Sequence, residues 1–200
     1  ELKTNEEGYV VVQLPLPPGT LLDLWQESQR FKADYLNKFP GYYFSGDGGY
    51  IDEDGFVYIT GRVDDVINVA GHRLSTAEME EIVASHHSVA ECAVIGVNDE
   101  LKGQAPLALV VTKSGETIEH FQLEQEIVQL VRQQIGAVAS MRNVVMVNRL
   151  PKTRSGKILR KLLRSIADGA SFQVPSTIDD ETIIDEIKES LEKYAMGKAK

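Results

Sequence analysis

The residues best suited to act on a phosphate group lie in one basic stretch near the end of the sequence. Within sixteen residues that contain no acid there are seven cations: Arg149, Lys152, Arg154, Lys157, Arg160, Lys161 and Arg164. A small turn, Thr-Arg-Ser-Gly, directly precedes Lys157. A lysine presented on such a turn can reach into a neighbouring site as a mobile point charge. The sequence therefore singles out Lys157 as a candidate for binding phosphate or stabilising its charge.

Other interpretations of the basic stretch stay open at this point. A patch of cations can bind nucleic acid, but no aromatic residue interleaves it to stack on bases. The formal net charge of −9 also disfavours a general nucleic-acid binder. A Walker A loop is excluded because neither serine nor threonine follows Lys157 and the upstream glycine is missing. A solvated basic helix would account for Arg160, Lys161 and Arg164, but not for the turn before Lys157.

A second stretch, FSGDGGYIDEDGFVYITGRVDDVINVAGHRLS, combines glycine-rich turns with charged side chains. Its glycines allow tight turns and a close approach of the backbone to a ligand. Asp47 can accept two hydrogen bonds from ribose hydroxyls, and Arg62 and Arg73 can make charge-assisted bonds to ribose and phosphate oxygens. Each also has an ordinary interpretation: Asp47 as a turn residue, Arg62 as the ion-pair partner of a nearby aspartate, and Arg73 as a surface charge.

The hydrophobic pattern predicts an α+β scaffold for these residues. Residues 1–63 form a small β-rich part with one helix and a hairpin turn at Asp-Glu-Asp-Gly. Residues 64–168 form a compact α/β domain, whose first helix begins at a capping box made by Ser75 and Glu78. Its other predicted strands and helices cover 89–97, 105–113, 120–136, 143–150 and 158–168.

The end of the chain and the composition complete this description. Residues 169–200 are predicted to be a flexible acidic tail with a possible helix, either solvated or docked. A hydrophobic content of 42% and a charged content of 26% are typical of a soluble globular protein. No apolar run is long enough to span a bilayer. The single cysteine, Cys92, lies in an apolar run, which indicates a buried structural thiol rather than a nucleophile.

Three motifs taken together are more specific than any of these residues alone. YYFSGDGGY, YITGRVDDVINVAGHRLSTAEME and LPKTRSGKILRKLL follow one another in that order. They resemble the adenylate-forming acyl-CoA synthetases, and most of all the short-chain branch of acetyl- and propionyl-CoA synthetases, with the propionate type favoured. The resemblance covers about residues 1–168. It implies the last part of a large nucleotide-binding domain, followed by a small C-terminal domain of the adenylate-forming ligase type.

Several residue roles are implied by this resemblance, position by position. Asp47 matches the acid that holds the ribose hydroxyls of ATP or AMP, and Arg62 and Arg73 match two further nucleotide contacts. Asp64 matches the hinge about which the small domain pivots. Lys157 matches the catalytic lysine of the adenylation step.

The resemblance also implies contacts with CoA and a metal ion. Asn68, Ala70 and Gly71 match a loop that lines the CoA path, and Arg132 matches the arginine at the 3′-phosphate end of CoA. The implied metal ligands are backbone oxygens and one imidazole, contributed by Ala84, His86 and Val89. The alternative for His86 is a favourable interaction with the end of the preceding helix.

The implied reaction joins a short carboxylic acid, propionate or acetate, to CoA through an acyl-adenylate made from ATP. The implied cofactors are ATP, CoA and Mg²⁺, and the implied partner is the missing N-terminal domain of the same chain; neither nucleic acid nor membrane is expected. The fragment alone is expected to be inactive, because it contains no segment for an acyl pocket. The implied compartment is the mitochondrial matrix, with the cytosol as the alternative. The alternative function is a non-catalytic module that binds a nucleotide or CoA.

Overall fold

The computed structural model of the protein describes residues 2–194. The chain divides after Asp64 into two compact units, Glu1–Asp64 and Asp65–Lys200, and each unit contains its own β-sheet. This mixture of helices and sheets confirms the α+β fold class. No helix within residues 2–194 combines the length and the apolar character needed to cross a membrane.

The first unit is a three-stranded antiparallel sheet with one short helical segment. Its elements are β1 (Gly8–Gln13), α1 (Ser28–Phe31), a π-helical turn (Lys32–Leu36), β2 (Tyr42–Ile51) and β3 (Val57–Arg62). The strands lie in the order β1-β2-β3. The predicted Asp-Glu-Asp-Gly turn joins β2 to β3, and Asp52 accepts hydrogen bonds from the amides of Asp54 and Phe56.

Aromatic rings, rather than buried aliphatic side chains, hold the described part of the first unit together. Tyr9, Phe39 and Phe44 lie within 5.8 Å of one another by ring centroids, and the ammonium of Lys38 lies 4.0 Å from the Phe44 ring. Among the described residues of this unit, Phe31 alone is a fully buried hydrophobic. Such tilted ring pairs and cation–π contacts each contribute roughly 0.5–1.5 kcal/mol.

The second unit is a five-stranded sheet covered by helices. Its elements are β4 (Val66–Val69), β5 (His72–Ser75), α2 (Thr76–Ala84), β6 (Val89–Asp99), β7 (Gly103–Thr112), α3 (His120–Gln134), β8 (Asn143–Met146), α4 (Arg160–Ala167) and α5 (Ile183–Tyr194). The strand order is β5-β4-β7-β6, and β8 pairs with β7 in parallel. All the other pairings in this sheet are antiparallel.

Alternate residues of the central strands send their side chains to two separate cores. Val94 and Val110 belong to the core under α2 and α3, whereas Ile95 and Leu109 belong to the core under α4 and α5. This is the two-residue period of a strand with both faces covered, and it explains why β6 and β7 read as nearly continuous apolar runs.

Two local features of the second unit compare differently with the sequence prediction. The amide of Glu78 donates to Ser75 Oγ at 3.4 Å, which confirms the predicted N-cap of α2. The sequence did not predict the hairpin formed by β4 and β5. Its two-residue turn places Ala70 at φ 49° and Gly71 at φ 89°, the left-handed conformations of a type I′ turn.

Up to residue 194, the end of the chain differs from the flexible tail that the sequence predicted for residues 169–200; residues 195–200 lie outside the described residues. Residues 183–194 form α5, which packs on the same core as α4. Ile183, Ile184, Ile187 and Leu191 are all buried there. The composition of this segment is acidic, but four apolar residues on one face of the helix bury enough surface to hold it in place.

Replacing Ile187 with alanine should therefore destabilise the protein, because the residue is only 1% exposed. A cavity of this kind costs about 2–5 kcal/mol of unfolding free energy. Urea titration of the 200-residue chain measures the change, and Glu189→Ala, at an exposed position of the same helix, is the control with an expected effect under about 0.5 kcal/mol. Equal effects of the two substitutions would mean that α5 is not docked.

Candidate active site

Lys157 is held by its backbone, while its side chain is exposed. It is part of a hairpin of residues 151–159, called here the lysine hairpin. The turn is closed by the Gly156 amide, which donates to Thr153 O at 2.8 Å, with Gly156 at φ 84°. Thr153 N–H donates to Lys157 O at 2.8 Å, and Lys157 N–H donates to Thr153 Oγ1 at 3.1 Å. This is a three-residue hairpin loop with glycine in its left-handed position.

Thr153 is a residue whose role the sequence did not reveal. The Thr153 amide binds the Lys157 carbonyl oxygen, and the Thr153 hydroxyl binds the Lys157 amide. The hydroxyl thus takes the place of the backbone carbonyl that would accept this bond in a regular hairpin. The available signal was a threonine four residues before the lysine, next to a Ser-Gly pair, where hydroxyl side chains commonly satisfy turn amides. The arrangement fixes the base of the lysine side chain and leaves its ammonium in solvent.

A second residue missed from the sequence, Glu80, anchors the helix that follows the lysine hairpin. Its carboxylate accepts two hydrogen bonds from Arg160, at 2.9 and 2.6 Å, and a third from the amide of Val94 at 2.9 Å. Both ion-pair partners are largely buried, with side chains 25% and 16% exposed for Arg160 and Glu80. Hydrogen bonding to Glu80 raises the pKa of Arg160, so its guanidinium stays charged. The start of α4 is thereby fixed to α2 and β6.

Two further cations of the basic stretch are also paired with acids within the second unit. Lys152 Nζ lies 2.6 Å from Glu91 Oε1. Arg149 donates to Asp180 and Glu186, each at 2.6 Å, and to Thr182 Oγ1 at 2.9 Å. These pairings neutralise cations that a nucleic-acid surface would have to present freely, so the structure disfavours that interpretation.

A groove of about 440 Å³ lies beside the lysine hairpin. Its lining includes Glu91, Cys92, Lys152 and Gly156. Burial raises the pKa of the Cys92 thiol to about 12, with a further contribution from Glu80. The thiol is therefore neutral near pH 7 and is not an activated nucleophile. It is only partly buried, whereas the sequence predicted a buried thiol.

In the first unit, three of the candidate residues meet in one cluster. Arg62 donates to Asp64 Oδ1 at 3.1 Å, to Ser45 O at 3.1 Å and to Asp47 Oδ1 at 3.5 Å. Gly46 lies at φ 81°, a conformation that favours glycine, and a Cβ at this position would force the end of the Arg62 side chain to move. Asp47 and Arg62 are partly exposed, at 33% and 49% of their side chains, so their polar atoms remain accessible to a ligand.

The β4–β5 hairpin carries four further candidates. Asn68 and Arg73 are paired across the two strands, and Ala70 and Gly71 form the turn between them. The Ala70 amide donates to Lys102 O at 2.9 Å, and the Asn68 amide donates to the side chain of Gln104 at 2.8 Å. The side chains of Asn68 and Arg73 are exposed. The hairpin is thus fastened through its backbone and presents its polar side chains outward.

The two remaining predicted sites lie on and beside helices. Arg132 is exposed in the last turn of α3. His86 follows α2, with its Nε2 2.8 Å from Glu126 Oε2 and its Nδ1 accepting from the Ser88 amide at 3.3 Å. A metal ion bound through His86 would have to displace one of these partners. Within residues 2–194, no group of three or more histidine, cysteine or acidic side chains is arranged to hold a metal ion.

Comparison with known proteins identifies a domain family and several relatives. Residues 78–157 match the family described as AMP-binding enzyme C-terminal domain. The chain is 62% identical over 196 residues to an uncharacterized protein of Pseudomonas aeruginosa, covering 98% of this chain and 31% of that protein. It is 51% identical over 193 residues to the mitochondrial acyl-CoA synthetase short-chain family member 3 of Mus musculus, covering 96% and 28% respectively. The chain therefore spans less than a third of the length of both relatives.

The fold is similar to that of solved ligases. The o-succinylbenzoate CoA synthetase of Bacillus subtilis, in complex with an acyl-adenylate intermediate, superposes with a TM-score of 0.68 at 26% identity. The match covers 82% of this chain and 31% of that structure. The family match ends at Lys157, so the residues that support the lysine hairpin from its C-terminal side lie outside it.

Glu80→Gln should destabilise the protein by about 1.5–3 kcal/mol, because it removes one charge of a largely buried, doubly hydrogen-bonded pair. Glu81→Gln is the matched control: it makes the same charge change at the next position of α2, which is exposed. Urea unfolding of both variants gives the two free energies. A difference under about 0.5 kcal/mol between them would show that the Glu80–Arg160 pair does not anchor α4.

Asp180→Asn tests the Arg149 cluster through its pH dependence. Hydrogen bonding to Arg149 and Thr182 lowers the pKa of Asp180 from 3.8 to about 2. A carboxyl with a depressed folded-state pKa stabilises the fold above its unfolded pKa, and that contribution is lost as pH falls through the folded value. The substitution should therefore destabilise the protein at pH 6, and the difference from wild type should fade between about pH 4 and pH 2. A difference that stays constant over this range would contradict the pairing.

Proposed function

Since the chain belongs to the adenylate-forming acyl-CoA synthetases and contains their AMP-binding enzyme C-terminal domain, we propose that it is the C-terminal part of a short-chain carboxylate–CoA ligase. The enzyme would activate a short carboxylic acid, propionate or acetate, with ATP and transfer the acyl group to CoA. The lysine hairpin is the observation that carries this proposal. It fixes the backbone of Lys157 and leaves its ammonium exposed, as a group that acts on a separate ligand requires.

The proposed chemistry has two steps. A carboxylate oxygen attacks the α-phosphorus of ATP, the bond to the β-phosphate oxygen breaks, and pyrophosphate leaves. The CoA thiol then loses its proton and attacks the acyl carbon, and AMP leaves with the electrons of the acyl–oxygen bond. Negative charge grows on the phosphate and acyl oxygens in the first step, so a positioned ammonium accelerates that step by electrostatic stabilisation and alignment. We assign this role to Lys157.

The other candidate residues have roles in binding the two nucleotides. We assign the ribose hydroxyls of ATP to Asp47 and further nucleotide contacts to Arg62 and Arg73, since all three carry charges that can bond to ribose or phosphate oxygens. In the first unit, the pairing of Arg62 with Asp47 keeps both side chains oriented before the nucleotide binds. Asp64, the last residue of that unit, is the proposed hinge.

We assign the CoA contacts to the β4–β5 hairpin and to α3. Gly71 leaves room for the pantetheine arm, Asn68 and Ala70 line its path, and Arg132 meets the 3′-phosphate. Ala70 has no side-chain donor, so it can offer only backbone and packing contacts. The exposure of Asn68 and Arg132 supports these assignments, because each polar group is accessible to a ligand.

The cofactor and compartment are further parts of the proposal. Mg²⁺ would accompany ATP and neutralise its phosphates; the acidic side chains of the described residues do not form a cluster that would hold it without the nucleotide. The mouse relative is named as mitochondrial, while a similar protein comes from a bacterium, so we propose the mitochondrial matrix for a eukaryotic source and the cytosol for a bacterial one.

Lys157→Ala in the full-length enzyme should lower acid-dependent ATP–pyrophosphate exchange by about 10²- to 10³-fold, the usual effect of removing one charge-stabilising group. Thioester formation from a pre-made acyl-adenylate should stay within about twofold of wild type, because the thiol step does not develop the same charge. Exchange measured with acetate, propionate and butyrate also identifies the acid.

Lys161→Ala is the matched control for this experiment, since it removes an exposed cation from the same basic stretch. Its exchange rate should equal that of wild type. If exchange survives Lys157→Ala, the role of Lys157 is wrong even though the family holds. If wild type shows no acid-dependent exchange with any acid, the enzyme is not a ligase for short acids, and a nucleotide- or CoA-binding module becomes the better description.

A further inference from the structure

The lysine hairpin has a neighbour on its outer edge, formed by residues from the end of the chain. Thr153 and Ile178 form an antiparallel bridge. The Arg154 amide donates to Thr177 O at 3.1 Å, and the Asp179 amide donates to Lys152 O at 2.9 Å. The first arm of the hairpin therefore has partners on both edges: Lys157 on one side and residues 177–179 on the other.

This neighbour is itself fixed to the rest of the second unit. Ile178 is 4% exposed and belongs to the core under α4 and α5. A few residues later the chain enters α5, whose apolar face is buried in the same core. Residues 177–186, called here the C-terminal strap, thus connect a rigid core to the hairpin that carries Lys157.

Arg149, two residues before the lysine hairpin, binds the strap at a second point. Its guanidinium reaches Asp180, Thr182 and Glu186 through four hydrogen bonds of 2.6–3.2 Å. Arg149 stands only three residues before Lys152, where the lysine hairpin receives its bond from the strap. The bidentate geometry to Glu186 fixes the direction of this contact as well as its distance.

We propose that the C-terminal strap positions Lys157 for adenylation, with Arg149 as the positioning residue that holds the strap against the lysine hairpin. This inference rests on the proposed function. Arg149 does not touch a substrate; it acts through the strap and the arm of residues 152–154, whose other edge binds Lys157. A displacement of about 1 Å at a catalytic group can cost about 10²-fold in rate, so loss of the strap affects the step that needs Lys157.

Arg149→Gln in the full-length enzyme tests this proposal. The substitution keeps a polar but shorter, uncharged side chain and removes the ion pairs to Asp180 and Glu186. ATP–pyrophosphate exchange should fall by about 10- to 100-fold, while thioester formation from a pre-made acyl-adenylate should stay within about twofold. Asp180→Asn, which alters the strap instead of Arg149, should lower ATP–pyrophosphate exchange by a smaller factor and again leave thioester formation within about twofold. Lys188→Gln is the control, because Lys188 lies on α5 beyond the strap and its exposed ion pair with Asp185 involves neither Arg149 nor the lysine hairpin.

The two half-reactions separate positioning from general destabilisation. A parallel loss of both would mean that Arg149 only supports the fold, and unchanged exchange would mean that the strap does not position Lys157; either result overturns the proposal. Failure of the proposed function looks different, since wild-type enzyme would then show no acid-dependent exchange.

Amide hydrogen exchange in the same variants supplies a readout that does not depend on activity. Faster exchange in the peptide of residues 152–158, with unchanged protection of α2, is the result expected for Arg149→Gln. Unchanged protection of residues 152–158 would show that the strap does not hold the lysine hairpin in place, whatever the activity of the enzyme. Loss of protection throughout the second unit would overturn it too, because the effect would then be global.

Discussion

The carboxylate of Glu80 is the interaction on which the geometry of the second unit depends. It joins α2, β6 and α4 at one point, through Arg160 and the amide of Val94. A carboxylate so placed is stable only because each of its hydrogen bonds comes from a group that would otherwise be left without a partner. Arg160 lies three residues after Lys157. The Glu80–Arg160 ion pair therefore fixes the end of the lysine hairpin, although it takes no part in the proposed chemistry.

Four cations of the basic stretch show two different roles of charge. Arg149, Lys152 and Arg160 are paired with acids, and they fasten the stretch to β6, to α2 and to the C-terminal strap. Lys157 differs because hydrogen bonds to its backbone hold it in place, while its ammonium is exposed. In sequence the cations look alike, since each stands among neighbours of the same sign. Their partners are acids 31 to 80 residues away, so only the fold separates a structural cation from a functional one.

Features that depend on nearby residues could be predicted from the sequence. Features that depend on distant contacts could not. Ser75 could be predicted as a helix cap because its partner is three residues away, and the strands β6 and β7 because both faces are buried. The β4–β5 hairpin was missed because Ala70 occupies a left-handed turn position, where asparagine or glycine is the usual residue. The sequence left open whether the last helix is solvated or docked, because its acidic composition suggests disorder; burial of one apolar face of α5 decides the outcome.

The lysine hairpin shows why its support has to come from distant parts of the chain. A two-stranded hairpin alone is at best marginally stable in water, and it gains stability from a third strand or from packing on a core. Here the strap provides the third strand, Arg149 fastens the strap, and Glu80 fastens the helix beyond the hairpin. The matched family region ends at Lys157 itself. Residues on both sides of that boundary are thus needed to give one exposed lysine a defined position.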